Sequence, residues 1–492
     1  MVTPEALCRG DTMSGEYEII ISTKQKLNDV SSSFCLAKWL QVTIHLDKGH
    51  THSCHHPPIH EIPLREVERD PGALHNTTHK QKQQAMMIEG IRPPECQYCW
   101  NVEDLPGDHY SDRYLKSAER QWAGEHMINE VVERVKAGEK IKPRYVEVSF
   151  SNVCNFKCGY CTPLFSSKWA SEVENHGPYI LATQHYPNVK YLKSSGSYPI
   201  HHKEYNPYVE AFWKWWPELV NELKVFRVTG GEPFLDDNTF KIMDELTKTP
   251  NPEMELSFNS NLGVPSSIID KYIKKINLLL ENNYIRRSVL YTSVDAHGAQ
   301  AEYGRHGLDY DVWLENVDNI LTKVPDLKMT IMCTTNILSI TSFKKLLEDV
   351  LALKKKHLSE SRTMPLTIDM SILRWPIHYC VSILPSKYAD MMEDSLKFMI
   401  DNQENANGNG PSDGFFIFEI EKMKRLIETI RQPINQDHTT LEITKAQQDF
   451  KLFVDEHDKR RGTNFLETFP ELEEFYRECE QHCNNAIQIA NI

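Results

Sequence analysis

The stretch Val153–Cys161 places three thiols within eight residues, Cys154, Cys158 and Cys161, in the spacing C-x3-C-x2-C. Cysteines grouped this way are metal ligands in chemical terms, and three is one fewer than a closed four-ligand site needs. A [4Fe–4S] cluster held by three cysteines keeps one iron without a protein ligand, and an open coordination position is where chemistry happens. Two other readings compete. One is a zinc ion with a distant fourth ligand, the other an incidental grouping in a chain of twelve cysteines.

A second motif follows in the run from Lys224 to Pro233, KVFRVTGGEP. It is a short β-rich segment that ends in Gly230 and Gly231, then an acid, Glu232, then a proline that stops strand pairing. Glycines at a strand end let the backbone approach a ligand closely. A carboxylate there can accept hydrogen bonds from an ammonium group. Alone, Gly-Gly-Glu reads as an ordinary turn. The cysteine spacing, with aromatic Tyr160 just before the last thiol, and this turn at its distance downstream together resemble the radical S-adenosylmethionine (SAM) superfamily. The resemblance implies a [4Fe–4S] cluster on Cys154, Cys158 and Cys161, whose open iron chelates the amino and carboxylate groups of SAM. It implies SAM contacts at Tyr160, Gly230, Gly231 and Glu232. It also implies reductive cleavage of the sulfonium to a 5′-deoxyadenosyl radical, and a flavodoxin- or ferredoxin-type electron donor.

The elements that must position these residues are legible as periodicity. Apolar, β-branched runs occupy Arg144–Phe150, Val225–Thr229, Glu253–Phe258, Ser288–Val294, Lys328–Thr334 and Leu366–Leu373. Segments of helical period lie between most of them: Lys241–Lys248, Ser267–Glu281, Val312–Lys323 and Phe343–Lys356. Alternation of this kind predicts parallel pairing through right-handed crossovers. The fold class is α/β, and six such units fit the partial (β/α)6 TIM-like barrel that the resemblance implies. Sites on parallel barrels gather at the C-terminal strand ends, where both motifs fall. The fourth run closes at Ser293 and Asp295, which the resemblance assigns to the SAM ribose. Arg305 follows, either as a bidentate partner for the SAM carboxylate or as a solvated residue at a helix start. Asn259, Ser260 and Asn261 after the third run, and Asn336 after the fifth, are either contacts to SAM or substrate or plain helix caps.

A second cysteine set precedes the barrel. Cys35 comes before an alternating run, Gln41–Leu46, that reads as a strand; Asp47-Lys48-Gly49 makes a hairpin turn, and Cys54 follows. A helical segment near Gln83–Glu89 leads to Cys96 and Cys99. Four cysteines complete a tetrahedral or cluster-ligating set. Their order resembles the auxiliary-cluster modules called SPASM and twitch domains, which usually come after the barrel rather than before it. An auxiliary [4Fe–4S] cluster is expected, with structural zinc as the competitor. The six histidines from His45 to His60 are borderline ligands and are read mostly as solvated loop residues. Cys479 and Cys483 share a helix face, while Cys8, Cys333 and Cys380 have no partners by spacing; Cys333 is read as a buried strand residue.

At 492 residues the chain is expected to hold two or three domains. These are an extension over 1–34, the Cys-rich module over 35–105, the barrel over 140–376 with a long insertion at 162–222, and a helical region over 377–492. The insertion carries Trp213, Trp215 and Trp216. It is read as a cap over the barrel mouth, or as a helix packed on the barrel exterior. The C-terminal region begins with a helix candidate over Ser386–Asn402 and a flexible loop over Asn405–Ser412, and shows no chemistry of its own. No run approaches the roughly 20 apolar residues of a bilayer span, and no signal peptide is evident. The many thiols therefore point to a reducing cytoplasm. A net charge of −14 disfavours nonspecific nucleic-acid binding. The resemblance favours hydrogen abstraction from a peptide or protein side chain. The alternatives are a small molecule or nucleobase substrate with only a structural metal at the N-terminal cysteines, and a non-enzymatic iron–sulfur or zinc scaffold.

Overall fold

The computed structural model describes residues 12–183, 189–359, 362–404, 413–432 and 440–490. Cys8 and the loop 405–412 lie outside the described residues. Eleven strands occur among the described ones: β1 (Gln41–His45), β2 (His50–His52), β3 (His60–Glu61), β4 (Tyr145–Ser149), β5 (Lys157–Cys158), β6 (Val225–Thr229), β7 (Asn251–Ser260), β8 (Ile285–Ser293), β9 (Arg305–His306), β10 (Leu327–Thr335) and β11 (Leu366–Ile372). All six expected barrel strands form, as β4, β6, β7, β8, β10 and β11. The pattern in β10 shows why. Leu327, Met329, Ile331, Cys333 and Thr335 are buried and alternate with half-buried neighbours, the period of two that a sheet imposes. Helices fill the crossovers at Asp237–Lys248, Ser266–Glu281, Tyr310–Lys323 and Phe343–His357. The first is capped by Asp236, which accepts from Asn238 N at 2.9 Å, and buries Phe240, Ile242, Met243 and Leu246 on one face.

The chain forms two compact units: residues 1–152, 199–259 and 274–289, and residues 153–198, 260–273 and 290–492. In the first unit the strands run in the order β3-β2-β1-β4-β6-β7, and in the second β10 pairs with β11. Within each unit the barrel-type strands stand in sequence order in an α/β fold, and β4 with β6, β6 with β7, and β10 with β11 pair in parallel.

In the first unit an N-terminal hairpin extends the sheet. β1 pairs antiparallel with β2 and parallel with β4, from Gln41 opposite Tyr145 to His45 opposite Ser149. Gly49 makes the turn at φ +64°, where a Cβ would meet the Tyr208 ring at 2.1 Å. The tryptophan-rich helix, Pro207–Leu219, packs on the sheet. Phe212 and Trp216 lie 6.1 and 5.3 Å from the Phe226 ring of β6. Trp213 donates to Asn238 Oδ1 at 2.8 Å. These rings therefore cover the flank of the sheet.

The second unit ends in helices Ala389–Asp401, Ile417–Arg431, Thr440–Arg461 and Glu473–Ala490. Lys354 and Glu419, almost fully buried, tie helix Phe343–His357 to helix Ile417–Arg431 at 2.7 Å. The same carboxylate accepts from Ile368 N of β11 at 2.8 Å. Among the described residues no helix is long and apolar enough to cross a membrane.

Candidate functional site

In the second unit the Cys154–Cys161 loop is held carbonyl by carbonyl. Ser167 Oγ donates to Cys154 O at 3.3 Å, Ser166 Oγ to Phe156 O at 2.7 Å, Arg461 Nη1 to Lys157 O at 2.8 Å and Trp169 Nε1 to Cys158 O at 2.7 Å. Gly159 N donates to Gly304 O at 2.9 Å, and the short β5 pairs with β9 so that Cys158 lies opposite Arg305. Phe156 anchors the loop by close approach. A Cβ on Gly263 would meet its ring at 2.3 Å, and one on Gly307, at φ +111°, would meet it at 3.0 Å. Asn155 Nδ2 donates to Gly263 O at 2.7 Å, and Asn261 Nδ2 to Asn155 Oδ1 at 2.9 Å.

Around these thiols lies one buried polar network. Arg305 Nε and Nη2 donate to the two Asp295 oxygens at 2.8 and 2.9 Å, while Nη1 reaches Cys158 Sγ at 3.8 Å. Asp295 also accepts from Tyr160 Oη at 2.8 Å and from Thr334 N at 2.8 Å. Burial pushes the Cys158 thiol up and the Arg305 guanidinium pulls against it. Burial and the neighbouring Cys158 and Cys154 raise Cys161. A buried guanidinium whose third nitrogen lies beside Cys158 Sγ can donate to a sulfur ligand of an iron–sulfur centre in a water-poor site.

The structure thus brings Cys154, Cys158, Cys161, Tyr160, Asp295 and Arg305 together. Arg305 is 7% exposed, and its fork is engaged by Asp295. Asn336 caps the turn Ile337–Ser339. Its Oδ1 accepts from Leu338 N at 2.9 Å and its Nδ2 donates to Thr334 O at 2.8 Å, so both ends of the amide serve the backbone. Ser293 stands half-buried at the end of β8.

In the first unit the Gly230-Gly231-Glu232 turn follows β6. Gly230 has φ +130°, and a Cβ there would lie 2.8 Å from Ser151 O and 2.9 Å from Ser149 Oγ. Glu232 is buried and accepts from Phe234 N at 3.0 Å. The turn therefore requires glycine, as a close approach of backbone would.

The same unit gathers Cys35, Cys54, Cys96 and Cys99 around one cavity, with Lys38, His56, Met87, Trp100, Asp112, Arg113 and Lys116 also in its wall. Cys96 closes the turn Pro94–Cys96, and Cys99 sits in helix Gln97–Glu103. A core of Leu27, Phe34, Trp39, Met87, Trp100 and Tyr114 packs with them. Burial pushes the Cys96 thiol up to about 12, against the pull of Lys38. Lys38 and Arg113 are each 2% exposed. Arg113 donates to Phe34 O at 2.9 Å and pairs with Glu103 at 2.8 Å. Lys38, Arg113 and Lys116 stand in that wall with the Asp112 carboxylate, and Lys38 and Arg113 are paired with Glu95 and Glu103. Among the described residues no trio of these sulfurs has its ligand atoms within 4.8 Å of one another.

The histidines differ from the sequence reading. His52 is buried, and His45, His50, His56 and His60 are half-buried. His56 stacks on Tyr98 at 3.7 Å and hydrogen-bonds Asp112 at 2.7 Å. Hairpin formation turns a polar stretch inward, which composition alone does not reveal.

Residues 166, 167, 169 and 461 were missed as site residues. Ser166 carries a readable signal, since a serine three residues before Trp169 N is an N-cap, here at 3.2 Å. Arg461 has none, being 304 positions from its acceptor.

Residues 148–350 match the family model described as the Radical SAM superfamily. No curated protein matches the chain. Among solved structures the chain is similar to Streptococcus suis SuiB bound to S-adenosylmethionine, at 12% identity and TM-score 0.31, over 74% of this chain and 69% of that one. It is also similar to the SuiB structure without a stated ligand, at 12% identity and TM-score 0.30, over 74% and 68%. The third is SuiB bound to precursor peptide SuiA, at 11% identity and TM-score 0.29, over 74% and 68%.

Proposed function

We propose that the chain is an enzyme of the radical SAM superfamily, on the match of its residues 148–350, and that it abstracts a hydrogen atom from a peptide or protein side chain. The observation that carries this reading is the buried network at Cys158: a thiol 3.8 Å from Arg305, on a loop whose carbonyls already have donors. Cys154, Cys158 and Cys161 are the ligands of a [4Fe–4S] cluster in this reading, and Gly230, Gly231 and Glu232 position SAM. When bound, the cluster and SAM supply a 5′-deoxyadenosyl radical by reductive cleavage of the sulfonium. The chain's own residues orient and shield. Arg305 offsets negative charge at Cys158, Asp295 fixes that guanidinium and the Tyr160 ring, and the close-packed Phe156 excludes water. A flavodoxin- or ferredoxin-type protein supplies the electron.

Cys35, Cys54, Cys96 and Cys99 hold an auxiliary [4Fe–4S] cluster rather than zinc. This module is what favours a peptide or protein side chain over a small molecule.

Iron, sulfide and EPR on anaerobically reconstituted protein test the reading, with the Cys154/Cys158/Cys161 triple alanine as control. About eight irons falling to about four, with a SAM-perturbed signal lost, are expected. About four falling to none, with zinc retained, would restrict zinc to the N-terminal module. No iron in either protein would overturn the assignment. For the substrate, deuterium passing into 5′-deoxyadenosine from deuterated peptides is expected; transfer from a deuterated small-molecule extract alone would reject the peptide.

A further inference from the structure

One trio of ligand atoms in the first unit belongs to neither cysteine set. His60 of β3, His79 of helix Thr78–Ile88 and Glu95 of the turn Pro94–Cys96 place their ligand atoms within 4.8 Å of one another. The geometry points to a binding site for one divalent transition-metal ion, held by two imidazoles and a carboxylate with solvent completing its shell. Such a nitrogen–oxygen set suits zinc, ferrous iron or cobalt, and differs in softness from the thiols nearby.

The trio is arranged and supported as ligands are. The His60 and His79 rings lie 4.4 Å apart. His79 Nε2 is 2.8 Å from Glu95 Oε2, which holds one imidazole against the carboxylate. The second imidazole is oriented by Thr77, whose Oγ1 lies 3.0 Å from His60 Nε2, an outer contact of the type that fixes a ligating ring. The other Glu95 oxygen pairs with Lys38, so the carboxylate is anchored from behind. A surface ion pair between His79 and Glu95 would account for two of the three residues. It gives no reason for a second imidazole to lie against them, with the His60 ring tilted toward that of His79. His79 is the exposed member and gives an ion its route in.

Cobalt(II) is the probe. It is titrated anaerobically into full-length protein already reconstituted with iron and sulfide, followed by visible absorption and metal analysis. One saturable equivalent is expected, with d–d bands and no sulfur-to-cobalt charge transfer, displaced by zinc. The exposed His79→Gln change should weaken it by more than the roughly 10–100-fold that loss of an outer partner costs, and His60→Gln/His79→Gln should abolish it. Iron and sulfide content should not change, so a failure of the cysteine assignments would be read separately. No uptake, equal uptake by wild type and double variant, or bands from thiolate ligation would each overturn the site.

Discussion

Asp295 and Arg305 are the pair on which the cysteine loop's electrostatics turn. The carboxylate takes two donors from Arg305, one from Tyr160 and one from Thr334. Neither side chain is more than a tenth exposed. Removing one charge of a buried pair leaves the other unbalanced, at a cost of about 3–5 kcal/mol. Asp295→Asn is therefore expected to lower the thermal midpoint and to loosen iron at Cys154, Cys158 and Cys161; unchanged melting and iron content would remove Asp295 from the site. Gly230 makes a backbone demand instead. At φ +130°, with Ser151 O 2.8 Å from an added Cβ, Gly230→Ala should cost about 1–3 kcal/mol in strain and weaken SAM binding as read by calorimetry. An alanine variant with wild-type stability and SAM affinity would show that the turn has room to spare. Residue types and spacing made these positions readable. They did not reveal that Arg305 would face Asp295 at 2.8 Å, because side-chain partners across loops leave no periodic trace.

At the level of elements, helix Thr440–Arg461 bears on the cysteine loop. Arg461 donates to Lys157 O at 2.8 Å and to the Glu172 oxygens at 3.1 and 3.2 Å, and Tyr179 Oη donates to Glu172 at 2.8 Å. Burial pushes the Glu172 carboxyl up, but Arg461, Lys157 and Tyr179 outweigh it and hold the group at about 2. A carboxyl depressed on folding stabilises the fold above its unfolded value, and that contribution is lost as pH falls through the folded one. Glu172 should therefore contribute fully above about pH 4.5 and progressively less toward about pH 2. Arg461→Met should cost about 3–5 kcal/mol at neutral pH and flatten the loss of melting temperature between about pH 5 and about pH 3. An Arg461→Met protein with the wild-type acid profile would mean that other groups govern that range. The strands were readable because β-branched alternation is a local property. The role of this helix was not, since its charged sequence shows no chemistry of its own and Arg461 lies 304 positions from Lys157.

At the scale of the whole chain, the Cys-rich segment precedes the barrel strands and adds its own strand, β1, to their sheet in the first unit. The N-terminal hairpin was readable from Asp47-Lys48-Gly49, since a tight turn is written in neighbouring residues. Its parallel pairing of β1 to β4 was not, because parallel strands need no turn between them. That pairing runs over five residue positions, and Leu46 N to Ser149 O at 2.9 Å and Arg144 N to Leu40 O at 2.8 Å extend it at both ends. The Cys-rich module therefore supplies the strand that covers one edge of β4. An uncovered edge carrying Val146 and Val148 presents unpaired N–H and C=O groups beside apolar side chains, a template for association between chains. Deleting residues 1–139 should thus yield aggregated protein on size-exclusion chromatography, even with iron, sulfide and SAM supplied. Serine at Cys35, Cys54, Cys96 and Cys99 in the full chain separates the two contributions. It removes the ligands and keeps β1, so it should stay monomeric while losing its share of iron. A monomeric, folded 140–492 fragment would show that β4 needs no cover, and would make the N-terminal module a separable attachment rather than part of the sheet's construction.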